Sequence, residues 1–71
     1  MEDREPTTPD EILAVALAKE EEAYDFYAGL ANRCELDIVR ELLEKLKDEE
    51  SKHIHLIQTL ITNLNLGKNI V

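Results

Sequence analysis

A spacing of three and four residues runs through two long segments of this chain and is interrupted in each by ionisable side chains. In the first segment Leu13, Ala16, Glu20, Ala23, Tyr27 and Leu30 step by 3, 4, 3, 4 and 3. In the second, Val39, Leu43, Leu46, Glu50, His53, Ile57, Leu60 and Leu64 step by 4, 3, 4, 3, 4, 3 and 4. Such spacing holds side chains on one seam of a helix. Ile38, Leu42, Ile54, Leu56 and Ile61 widen the second stripe, as in a helix that packs on more than one neighbour.

The punctuation agrees with two helices. Thr8-Pro9-Asp10-Glu11 combines a capping hydroxyl, a proline at the first helical position, acids for the helix dipole and a glutamate at capping-box spacing. Asn32 is a helix-ending residue and Asp37 suits a first turn, so a short turn is expected over residues 32 to 36. Gly67 is expected to close the second helix. The reading is all-α: a flexible arm over residues 1–8, an antiparallel two-helix hairpin over 9–66 and a short tail over 67–71. Two i,i+4 pairs, Glu41 with Lys45 and Asp48 with Lys52, are expected to support exposed faces.

At 71 residues the chain holds a single domain, and with 4% aromatic content its core must come from aliphatic side chains. A hairpin of this size gains its core by self-association. Sixteen acidic residues against eight basic ones, a net charge of −8, argue against nucleic acid and anionic membrane surfaces as partners. Cys34 is the only cysteine, so the chain has neither an internal disulfide nor a Cys-x-x-Cys site. The acidic N-terminus differs from a signal peptide, and the longest apolar run, Ile12 to Ala18, is too short to span a bilayer. A cytoplasmic location is expected.

Three strongly hydrophilic side chains, Glu20, Glu50 and His53, stand where core residues belong. An unpartnered buried carboxylate is costly, so something should compensate. The midpoint of Glu20 and Glu50 is residue 35, inside the expected turn, so each lies roughly 22 Å from it and the two share one level. His53 is one turn beyond Glu50, and Glu50-x-x-His53 points at the same place as Glu20. Two such hairpins about a two-fold axis would assemble four carboxylates and two imidazoles inside a four-helix bundle, the ligand set of di-iron and di-manganese carboxylate proteins. Oxygen-rich ligation with one imidazole per metal suits iron, with manganese as an alternative and zinc or calcium as surrogates. Glu49 would replace Glu50 if the helix were rotated, but the seam selects Glu50; His55 falls on another face and reads as a surface residue. Tyr27 reads either as a packed aromatic or as a neighbour hydrogen bonding to the site.

Glu20 followed seven residues later by Tyr27, then Glu50-x-x-His53 thirty residues after Glu20, resembles the ferritin-like superfamily. The two-helix length is similar to that of its half-size branch, the encapsulated ferritins. The stretches from Ala18 to Tyr27 and from Leu46 to His53 carry the match, which spans residues 9 to 64. The resemblance implies a ferroxidase that oxidises Fe(II) with dioxygen or peroxide at a di-iron centre across a homodimer interface, for iron storage or detoxification. Glu20, Glu50 and His53 would then be the ligands, Glu50 the bridge, and Tyr27 a hydrogen-bonding or redox-active neighbour. It further implies a ring of dimers inside an encapsulin shell, although only seven residues follow Leu64 where that branch has a longer extension. Two other functions fit the same residues: a rubrerythrin-like di-iron peroxidase, and a metal-free helical dimerisation or adaptor module.

Overall fold

A computed structural model describes the backbone of residues 5–69 and the side-chain surroundings of residues 5–67. Two helices make the fold: α1, Pro9–Arg33, and α2, Asp37–Asn69. The start of α1 follows from its capping box. The Thr8 hydroxyl accepts from the Glu11 amide at 3.1 Å, while the Glu11 carboxylate accepts from the amides of Thr7 and Thr8, both at 3.2 Å. Those amide donors hold the Glu11 carboxyl below the usual glutamate range.

The link between the helices is Cys34 to Leu36. Asn32, expected to end the first helix, instead stays within it. The chain leaves the helix through an extended Cys34, at φ −90° and ψ 125°, so no left-handed residue is needed. The freed polar groups are satisfied locally. The Cys34 amide donates to Ala31 O at 3.3 Å, Arg40 Nη1 donates to Cys34 O at 2.9 Å, and Leu36 O accepts from the amides of Val39 and Arg40. Arg40 also pairs with Asp37 and so ties the first turn of α2 to the link.

At the other end, α2 runs through Gly67 to Asn69 rather than stopping at the glycine. No described glycine has a positive φ, so Gly67 adopts ordinary helical geometry instead of a left-handed cap. An exposed glycine in a helix costs only about 1 kcal/mol, too little to stop a long helix by itself. Residues 67–69 of the expected tail are thus helical, whereas residues 1–4 of the expected arm and residues 70–71 lie outside the described residues. Among the described residues, no helix is long and apolar enough to cross a membrane.

Packing of the two helices produces a plate, not a two-layered domain. Its smallest dimension is 12 Å, about the diameter of one helix. Ala31, 1% exposed, is the one buried hydrophobic residue among those described. Leu13, Glu20 and Tyr27 on α1, with Leu43, Glu50, Ile57 and Ile61 on α2, are half-covered along the inter-helix line. The second seam was expected to face the core throughout, yet Val39, His53, Leu60 and Leu64 are exposed. One neighbouring helix covers only part of α2's circumference. A stable domain needs a second layer against an apolar face of this kind.

Candidate metal centre

Glu20, at the middle of α1, and Glu50 and His53, at the middle of α2, meet across the hairpin. One ligand atom from each can be chosen so that all three lie within 4.8 Å of one another. His53 Nδ1 is 2.8 Å from Glu20 Oε2 and 3.4 Å from Glu50 Oε1. The local cause is the spacing. Glu50 and His53 are i,i+3 neighbours on α2, and the three-residue link sets Glu20 at their level.

Exposure falls in the order His53 49%, Glu20 27% and Glu50 17%. The imidazole therefore opens to the uncovered face, while the carboxylates lie deeper in the inter-helix groove. Glu50 Oε1 is buried and makes no hydrogen bond, for the 3.4 Å approach of His53 Nδ1 lacks the required alignment. A buried carboxylate oxygen without a donor costs about 1–3 kcal/mol. It is a lone pair waiting for a cation.

The donor set fits a transition metal. Two carboxylates and an imidazole are the hard and borderline ligands that iron and manganese accept. Atoms 2.8 to 4.8 Å apart are separated as neighbouring ligands of one ion are, given metal–ligand bonds of about 2.0–2.2 Å. Glu20, Glu50 and His53 are the residues that would hold it.

The other candidates stand elsewhere. Glu49 is exposed and paired with Lys52 at 3.2 Å, which turns it away from the groove and leaves Glu50 as the inward glutamate. Lys52 thus pairs with Glu49 and not with Asp48, and Glu41 and Lys45 form no pair among the described residues. The ion pairs seen here span three residues, one turn of helix, as in Lys47 with Glu44 at 2.8 Å. His55 is exposed on a different face. Tyr27 lies half-covered outside the ligand trio, its ring meeting Phe26 edge-on at 5.4 Å between centroids.

One layer nearer the link is a contact that the seam pattern does not reveal. Lys47 Nζ sits 5.9 Å from the centroid of the Tyr24 ring, and the Glu44 carboxylate beside it raises the Lys47 ammonium above the usual lysine range. The sequence signal was a second register: Tyr24 is one turn after Glu20, and Lys47 one turn before Glu50. This cation and aromatic ring close the hairpin beneath the ligands.

The Rubrerythrin family model matches residues 11–71, which take in both helices and all three ligand-type residues. The chain belongs to the rubrerythrin family. This places it within the ferritin-like superfamily, in agreement with the resemblance carried by Glu20 and Glu50-x-x-His53. No curated protein and no solved structure matches the chain.

Proposed function

We propose that this rubrerythrin-family hairpin supplies half of a di-iron oxidoreductase centre, with Fe(II) as the reductant and dioxygen or peroxide as the oxidant. The observation that carries the proposal is the convergence of Glu20, Glu50 and His53 on one point, with a buried Glu50 oxygen lacking a donor. A second copy of the chain contributes the same three residues, so that each iron receives carboxylates and one imidazole. The iron pair supplies the electrons, each Fe(II) becoming Fe(III).

The protein's part is electrostatic and geometric. Glu20 and Glu50 offset the positive charge in a groove shielded from bulk water. The imidazole ligates through an unprotonated nitrogen, so binding at Nδ1 exchanges the Glu20 contact for the metal and releases any proton held there. Glu50, the deeper carboxylate, is suited to lie between two ions, and the exposed His53 edge marks the side from which the second copy approaches.

Ferroxidase activity of the encapsulated-ferritin type is the finer reading. Peroxidase activity is the second, favoured by membership of the rubrerythrin family. Turnover with each oxidant as the sole electron acceptor separates them: faster Fe(II) oxidation by dioxygen supports the first, and multiple turnovers with peroxide and an external reductant support the second. Glu50→Ala and His53→Ala should each abolish turnover; full activity in both variants would overturn the di-iron reading.

A further inference from the structure

We infer that the second copy docks antiparallel, with the dyad crossing the midpoints of both helices, so that the two links lie at opposite ends of the dimer. This rests on the self-association proposed above and goes beyond it by fixing the orientation.

The first observation is that the uncovered apolar residues share one face. On α1, Ile12 and Phe26 are displaced from the covered line of Leu13, Tyr24 and Ala31 in the same rotational sense as Leu42 and Leu56 from the covered line of Leu43, Ile54 and Ile61 on α2. Antiparallel helices seen end-on wind in opposite senses, so a common rotational offset becomes a common face. His53 opens onto it. The residues there are large and exposed, Leu56 at 69% and Phe26 at 59%. A patch of this kind on a plate one helix thick is an interaction surface.

The second observation selects the arrangement. His53 is the midpoint of Asp37–Asn69, and residue 21 is the midpoint of Pro9–Arg33. The 2.8 Å contact between Glu20 and His53 places these midpoints at one level, so one perpendicular dyad passes through both. About it the apolar positions are palindromic. Leu42 pairs with Leu64 and Leu46 with Leu60 on α2; Ile12 pairs with Leu30 and Ala16 with Phe26 on α1. The last pair sets a large exposed ring against a small side chain, the interdigitation that close packing requires. Lys19 falls opposite Ala23, which leaves its stem room to run out to solvent.

The competing arrangement has its dyad parallel to the helices and both links at one end. It sets the 33-residue α2 beside the partner's 25-residue α1, leaving the last turns of α2, Leu64 included, without a neighbour. The antiparallel arrangement instead lays α2 along α2 for its full length. The end of α2 that projects beyond α1 then covers the partner's Leu42, which is 55% exposed in the single hairpin. The three ligand-type residues of each copy flank the dyad, and the two sets face each other.

The single cysteine supplies the test. Cys34 is 14 residues from Glu20, about 21 Å along the helix, so spin labels on Cys34 of two copies should lie about 40 Å apart or more. Links at the same end would bring them within about 20 Å. Pulsed dipolar spectroscopy on the full chain, metal-free and with Zn(II) as a diamagnetic ion, reads the distance. Because Cys34 caps α1, the measurement is repeated with Asn32→Cys in a Cys34→Ser background, where the label sits on the exposed side. A long distance at both positions supports the arrangement. A short distance in a dimer that still binds metal overturns the orientation and leaves the di-iron reading standing. No intermolecular distance in either metal state overturns the docking altogether, and a metal titration of that monomer then decides the di-iron reading separately.

Discussion

Replacing Glu50 by leucine should make the metal-free protein more stable while removing its response to iron. The reasoning starts at Glu50 Oε1, buried without a hydrogen bond in a side chain only 17% exposed. An unsatisfied buried oxygen costs about 1–3 kcal/mol, and Glu50→Leu removes that cost while adding apolar surface to the groove beside Leu46 and Ile57. Leucine is as good a helix former as glutamate, so α2 itself is not weakened. His53 keeps its 2.8 Å contact to Glu20. A net gain of about 2 kcal/mol is expected, which for a chain of this size raises the melting temperature by about 10 °C. Wild type should show a further rise on adding Fe(II) anaerobically, because a ligand bound by the folded state alone stabilises it by mass action, and Glu50→Leu should show none. Thermal denaturation at fixed protein concentration, with and without Fe(II), reads both effects. A metal-free variant no more stable than wild type, or one that keeps the iron-induced rise, would refute the reasoning.

Three other perturbations probe separate parts of the account. Thr8→Ala should cost about 1 kcal/mol in urea denaturation through loss of the capping hydroxyl, with Thr8→Ser recovering most of it. The Glu11 carboxyl, held low by amide donors, contributes stability that is present above the ordinary glutamate pKa and lost as pH falls through its folded value; a carboxylate NMR titration should show Glu11 titrating below the other glutamates, and Glu11→Gln should remove that acid dependence. Leu42→Asp lies on the exposed face, so it should leave the single hairpin folded by circular dichroism but shift the sedimentation coefficient from dimer to monomer.

The parts of this structure that are legible in the sequence are those governed by local chemistry. Thr8 and Glu11 form their box because the spacing puts each within reach of the other's amide. The choice of Glu50 over Glu49 follows from the seam, and it is reinforced by Lys52, which draws Glu49 outward. The level shared by Glu20 and His53 follows from the position of the link. Less legible are features in which two local solutions differ little in energy. Asn32 and Gly67 were both expected to end helices, but an extended Cys34 with the Arg40 hydrogen bond serves in one case, and continued helix in the other. Periodicity alone also did not divide the α2 stripe into a part facing α1 and a part left bare, because both halves are apolar. Lys47 above Tyr24 escaped notice because a cation over a ring leaves no mark in hydropathy.

Metal stoichiometry tests the central claim most directly. The protein, purified without a metal-affinity tag, is titrated anaerobically with Fe(II) while bound iron and native mass are measured together. The account predicts two irons per pair of chains, saturating as the dimer forms, with both the stoichiometry and the dimer-promoting effect lost in His53→Ala. Iron binding that survives in His53→Ala and Glu50→Ala, or a chain whose mass and iron content do not respond to Fe(II), would contradict it.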